Sequence, residues 1–440
     1  MLIFETLYYS SFAQLNLPWQ KMKKHFNFLI LILFIYPKAY SADAVLKMDI
    51  LQVENRFLQK NLSLLSAKYN IDISKALAQQ AALWENPVIL LEQNIYNQYT
   101  NKAFDISSNG QTAVQIQQVI LLAGKRNKRI QLQNISTKSS EYQFYDLMRT
   151  LRLELSTNFY SLYFTQKKLD AIQKQIGPLS ALTQAFEQQL DKGNVSLREV
   201  SRLRALLFNL EVQRIGLNTE VLGYNASIKT LLVISPDTTF QPIYNETNAA
   251  FLETKRLDEL REEARINRSD LLAYENDIKY QQANYSLQKA NAIPNLTLGG
   301  LYDRAGSYIY NYYALTLGFS LPLFNRNQHI IRASKMQINQ SKLNYEGLSV
   351  SVENDVSFAH ERALMVHNSL LSYPKTILES TDQLQKSMFQ NYQKHNVTLV
   401  EFVDFYESFT INTIAFLDLQ LEREKALEEL NFVVGKKISQ

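Results

Sequence analysis

The chain has 440 residues, with 46 Lys and Arg against 42 Asp and Glu and a formal charge of +4. So small an excess gives no electrostatic footprint for nucleic acid, and the absence of cysteine excludes disulfides, zinc–thiolate sites and lipid attachment at an N-terminal cysteine. The composition, 46% apolar and 20% charged, suits a chain with a buried core, and only 12 Gly and 9 Pro imply long uninterrupted helices.

In chain order, residues 22–41 read as a secretory signal. Lys23 and Lys24 give the basic start, Phe26 to Tyr36 the apolar core, and Ala39 and Ser41 the small residues of a cleavage site. The apolar core is much shorter than the roughly 20 residues a bilayer-spanning helix needs. Residues 1–21 are then expected to be a start-site artefact, and the mature chain to begin near Ala42.

The remainder is written twice. "KGNVSLREV" at Lys192–Val200 returns as "KHNVTLVEF" at Lys394–Phe402, at an offset of 202, and Arg126-Asn127 returns as Arg326-Asn327 at an offset of 200. A repeat of about 200 residues per copy follows. The first copy, 42–233, is expected to hold a helix near 44–84, a β-hairpin near 88–122 entered at Pro87, and helices at 125–190 and 197–233. A linker, 234–255, leads to the second copy, 256–440. That copy holds a helix near 256–292, a hairpin near 295–321 entered at Pro294, and helices at 326–394 and 399–435. Each long helix would reach about 100 Å at 1.5 Å per residue, a length matched by two shorter helices end to end. The pattern predicts two antiparallel helical rods, each capped by a hairpin, with Pro178 and Pro374 bending the long helices.

The strands alternate. Tyr313, Leu315, Leu317, Phe319 and Leu321 fall on one face; Ala314, Thr316, Gly318 and Ser320 fall on the other. Such alternation suits a transmembrane barrel wall and equally a half-buried sheet. The strand at 113–121 is less clean, and an offset of 200 puts its faces out of step with the second copy, as a bulge would. Four strands close no pore, and an open edge is not viable in lipid; three chains would supply twelve strands. Tyr308, Tyr310, Tyr312 and Tyr313 would suit an interfacial aromatic girdle in lipid.

At this point the sequence resembles the TolC-type outer-membrane efflux channels, in particular the heavy-metal branch. The resemblance rests on the repeat, on "AGKR" after the first hairpin, on Arg268–Gly300, and on "LPLFNRNQ" at Leu321–Gln328. It implies a mostly α fold with a small transmembrane β part: a homotrimer whose 12-strand β-barrel continues into an α-helical periplasmic tunnel. It implies a passive exit duct in the cell outer membrane, working with a periplasmic adaptor and an inner-membrane pump of RND or ABC type. The opening repeat then marks two helix-hairpin tips per chain. Adaptor docking would use Gly193, Asn194, Val195 and Ser196 with Asn396, Val397 and Thr398, and the family's acidic constriction falls on Glu401 and Asp404.

Ser196-x-x-Glu199 and Thr398-x-x-Glu401 are also capping boxes, which suffices to explain those four residues. Asp404 lies beyond the box and on the same helix face as Glu401. Arg198 and Arg202, in the first copy, are expected either to pair with Glu401 or Asp404 in a closed state or to be solvated surface charge. His395, in the second turn, would make docking pH-sensitive or be a plain surface residue.

No catalytic constellation, cofactor site or metal site is expected. The histidines are His25, His329, His360, His367 and His395, and His360 and His367 stand two turns apart. Two alternatives remain beside the efflux duct: the duct of a type I protein-secretion system, and a soluble periplasmic coiled-coil adaptor or scaffold.

Overall fold

The computed structural model describes residues 45–305, 309–373, 381–394 and 396–438. The expected signal and upstream segment, Tyr308, Pro374 and His395 lie outside them. The chain divides into two units, residues 1–46 with 237–239 and residues 47–236 with 240–440; the packing described below belongs to the second.

After β1 (Val45–Asp49), the expected first helix is two helices, α1 (Ile50–Lys60) and α2 (Leu62–Ala81). Asn61 divides them. It leaves the helical region at ψ 120, its Oδ1 accepts from Leu64 N (3.0 Å) to cap α2, and its Nδ2 donates to Leu231 O (3.0 Å). A short amide that can bond backbone locally favours a cap over a helix interior. The second copy breaks at the corresponding place. Arg268, at ψ 112, separates α6 (Leu257–Asn267) from α7 (Ser269–Asn291), and its buried guanidinium is held by Asp270 (2.7 Å) and Asp355 (3.0 Å). Both breaks hide in apolar periodicity that continues across them.

Between these breaks run α3 (Lys125–Asp191), α4 (Leu197–Leu232) and a connection containing β6 (Thr239–Ile243) and α5 (Phe251–Thr254). Helix α3 stays continuous through Pro178. The second long helix does not match it: α8 (Gln328–Ser372) ends at Tyr373, whose φ −97 and ψ 124 are the extended values a residue before proline prefers, and α9 (Thr381–Gln393) follows. Helix α10 (Leu399–Val434) completes the chain.

The two halves are not separate rods. Strands β2 (Val88–Gln93), β5 (Thr112–Ile120), β7 (Leu296–Asp303) and β8 (Tyr312–Phe319) form one antiparallel sheet in the order β2-β5-β7-β8. One hairpin alone is marginal, and a third and fourth strand supply the missing partners. Pairing runs without interruption from Ala113↔Asp303 to Ile120↔Leu296, so there is no bulge. The phase is explained instead by the true correspondence of Val114 with Tyr313, an offset of 199, which places both on one face.

The expected linker is also part of the core. Ala249 and Leu252 are buried with Leu260, Val356, Leu427 and Leu430. Tyr244 Oη donates to Glu424 (2.9 Å) and Thr247 Oγ1 to the same carboxylate, which also holds Arg423 (2.7 Å). One turn further along α10, Glu428 is 6% exposed. Burial pushes its carboxyl up to about 7, opposed by Lys437 and assisted by Glu54; Asn431 donates to it, and Glu424 and Tyr160 lie close by.

This predicts a pH dependence of stability. The unfolded carboxyl ionises from about pH 4.5, whereas the folded one keeps its proton to about pH 7. Stability therefore falls as pH rises between these values, by a few kcal/mol at most, on the order of 1.4 kcal/mol for each unit of pKa difference. Melting of the Glu428→Gln protein between pH 4.5 and 7.5 is expected to lose most of that slope. An unchanged slope would assign it to other groups.

Candidate functional site

The two tips are built alike to the level of single hydrogen bonds. In the first, α3 ends with Gly193 N donating to Leu190 O (2.9 Å) and Asn194 N to Gln189 O (2.9 Å). Gly193 stands at φ +74, a left-handed position that a Cβ would strain. In the second, Asn396 N donates to Asn391 O (2.9 Å). Asn194 Nδ2 reaches Gln189 Oε1 (2.7 Å), and Asn396 Nδ2 reaches Asn391 Oδ1 (3.3 Å).

Each following helix starts on a complete capping box. Ser196 N and Oγ lie 2.8 Å from Glu199 Oε2, and Glu199 N donates to Ser196 Oγ (3.3 Å). Thr398 and Glu401 repeat the same three distances. These bonds hold the Glu199 and Glu401 carboxyls below the usual carboxylate range: the backbone amide contributes most, then the hydroxyl. Both acids thus serve as caps in the single chain. Among the sequence-derived docking residues, Val195 and Val397 are half-buried; Gly193, Asn194, Ser196, Asn396 and Thr398 are exposed.

Glu401, Asp404, Arg198 and Arg202 are all exposed. Within one chain, among the described residues, no ion pair joins either arginine to either acid; the tip's arginine pair is Arg204 with Glu187 (2.7 Å), which ties α4 back to α3.

Sequence reasoning missed what stands behind the acids. Phe402 and Tyr406, on the inner side of α10, are 0% and 1% exposed. Phe402 stacks on Tyr392 (4.5 Å between centroids) and meets Tyr406 (4.5 Å), and Tyr392 stacks on Phe186 of the first hairpin (5.9 Å). Leu179, Leu203 and Leu206 complete the cluster, so the two hairpins share one core. Burial pushes the Tyr392 and Tyr406 hydroxyls up to about 12. Further from the tips, Thr410 Oγ1 donates to Gln175 Oε1 (2.6 Å), and Lys168 pairs with Asp418. The signal was the aromatic run in α10, which periodicity alone assigns only to some core.

The sheet presents the second functional surface. Residues directly opposite share a face, so the register places Ile89, Leu91, Val114, Ile116, Ile120, Leu296, Leu298, Tyr302, Tyr313, Leu315, Leu317 and Phe319 together, interrupted by Gln93, Thr112, Gln118 and Gly300. Most of them are exposed, Leu315 at 80% and Leu91 at 77%. The other face carries Glu92, Gln115, Gln117, Thr297, Asp303 and Thr316 with small Ala113, Gly299, Ala314 and Gly318, interrupted by Val88, Leu90, Val119 and Leu301. Tyr312 is on this second face and Tyr313 on the first, so the tyrosine group is divided between them. Among the described residues, strands β2 and β8 are unpaired edges. Among the described residues no helix is long and apolar enough to cross a membrane, and no group of three His, Asp or Glu could hold a metal ion.

Comparison with known proteins agrees with this arrangement. Residues 260–436 match the family model described as outer membrane efflux protein. The cobalt-zinc-cadmium resistance protein CzcC of Cupriavidus metallidurans is 18% identical over 380 residues, 86% of this chain and 87% of its own. The outer-membrane channel OprN superposes with a TM-score of 0.71 at 17% identity, over 88% of this chain and 89% of its own. The Campylobacter jejuni CmeC outer membrane channel gives 0.72 at 13% identity, over 89% and 86%. The second repeat thus matches the outer membrane efflux protein model, and the fold throughout is that of these outer-membrane channels.

Proposed function

We propose that the chain is one of three identical protomers of an outer-membrane exit duct, through which a tripartite pump expels small solutes or metal cations. The observation that carries this is the sheet: one exposed apolar face, one mostly small and polar face, and two open edges. Such a sheet is satisfied in lipid only when its edges pair with further copies. The helices leading from it form the periplasmic conduit, and the tips at their far end receive a periplasmic adaptor. The resemblance to CzcC favours metal cations as cargo. The duct binds no cofactor and does no chemistry; an inner-membrane pump drives the flux.

Asp404, exposed one turn beyond the Glu401 cap, supplies a ring of three carboxylates in the trimer. Rings of carboxylates favour cations, and their like charges repel one another, so closure needs a partner, which Arg198 or Arg202 of a neighbouring copy supplies. In planar bilayers, Asp404→Ala channels are expected to lose cation preference and to conduct several-fold more in the closed state. Unchanged conductance and selectivity would leave Asp404 as surface charge. The assembly itself is tested by the mass of the protein extracted from outer membranes in mild detergent. About three chain masses is the expected result, and a soluble periplasmic monomer or dimer would favour a scaffold instead.

A further inference from the structure

The connection from β2 to β5, residues 94–111, is built inside out. Its interior is polar. Asp105, 4% exposed, accepts hydrogen bonds from Asn97 Nδ2 (3.0 Å), Thr100 Oγ1 (2.5 Å), Ser107 N (3.0 Å) and Ser107 Oγ (2.6 Å). Asn97, 7% exposed, also donates to Asn109 O (2.9 Å). Gly110 packs so closely that a Cβ there would lie 1.6 Å from Asp105 O. A two-residue strand pair, β3 (Tyr96–Asn97) with β4 (Lys102–Ala103), braces the middle. Arg304, from the second hairpin, clasps the loop at Ile106 O (2.6 Å) and Ser107 O (3.1 Å).

Its exterior carries large apolar groups among exposed polar ones such as Gln98, Asn101, Lys102 and Ser108. Tyr99 is 99% exposed, Ile106 77%, Ile95 72% and Phe104 62%. Phe104 is held at φ +49, a conformation a bulky residue rarely adopts. Several large apolar groups held exposed on one hydrogen-bonded loop mark a surface suited to a partner.

Lipid does not suit. Irregular backbone is not found facing hydrocarbon, and Asn101 and Lys102 lie exposed beside the apolar groups. A second copy does suit, by topology. The loop leaves the outer end of edge strand β2. The β7–β8 connection, with Ile309 52% and Tyr310 69% exposed, meets the outer end of the opposite edge strand β8. Closing a barrel from identical sheets brings β8 of one copy beside β2 of the next, and so brings these two apolar connections together.

We propose that the apolar crown of residues 95–106 docks on Ile309 and Tyr310 of a neighbouring copy and fastens the outer rim of the shared barrel. This rests on the shared-barrel reading.

The chain has no cysteine, so introduced thiols report cleanly. Two differently tagged full-length chains are co-expressed, one carrying Ile95→Cys or Phe104→Cys and the other Ile309→Cys or Tyr310→Cys. Outer membranes are then treated with a short bismaleimide. A parallel set places Ile89→Cys in β2 against Leu315→Cys or Leu317→Cys in β8. The expected result is a linked band containing both tags for the loop pairs as well as the strand pairs. Linkage of strand pairs alone overturns the proposal and leaves the barrel standing; linkage of neither overturns both. Quenching of a Phe104→Trp protein by brominated lipid places the crown in lipid and also overturns the proposal.

Discussion

Leu315→Arg chains are expected to be absent from the outer membrane, or present only as monomer that gives no heat-stable trimer on gels. Leu315 is the most exposed residue of β8, lying on the apolar face opposite Gly300, with Leu298 and Tyr302 of β7 flanking that position. A lipid-facing Arg costs about 2–4 kcal/mol near the midplane, and the proposed trimer would carry three. Gln115→Arg supplies the control. Gln115 sits opposite Leu301 on the other face, which meets water in the proposed barrel, so this variant is expected to insert normally and to shift ion selectivity toward anions. If both variants insert equally well, the assignment of the faces is wrong; if both fail alike, the sheet does not stand between lipid and water.

The second large effect is expected at Phe402. Its ring is 0% exposed between Tyr392 and Tyr406, and removing a buried Phe ring typically costs about 3–5 kcal/mol. In Phe402→Ala the loss falls on the core that joins the two hairpins, not on either hairpin's own backbone. The tip of the second hairpin is expected to part from the first, giving a several-fold rise in resting conductance while trimer yield stays near normal. Phe402→Leu, which keeps most of the volume, is expected to stay close to wild type. A lower melting temperature with unchanged conductance would mean that the stack supports the fold and has no part in closure.

Much of this was legible in residue order because long helices and hairpins declare themselves locally. The repeat at Lys192 and Lys394 located both tips within a residue or two, and both capping boxes form as their spacing requires. The breaks in the first helix of each copy escaped notice for one reason. Asn61 and Arg268 interrupt helices whose apolar pattern runs straight on, and their reasons are distant: Leu231 O for one, Asp355 for the other. The phase of β5 was ambiguous because offsets between repeats count residues, whereas faces follow pairing. Ile120 and Phe319, which share a face through Leu296, stand 199 apart, because the stretch from there to Arg126 is one residue shorter than the stretch to Arg326.

The sequence by itself determined the twofold repeat, the type and order of most elements, the hydrogen-bonded tips and the alternation in β8, since each depends on spacings of a few residues. Only the tertiary structure decided that the two hairpins form one sheet with open edges, that an aromatic core joins the two tips, and that the loop after β2 turns its polar groups inward. Those facts rest on contacts between residues roughly 10 to more than 200 positions apart, such as Asn97 with Asp105, Ile120 with Leu296 and Phe186 with Tyr392. No local propensity encodes them; they arise where burying apolar area and satisfying polar groups select one arrangement of the whole chain.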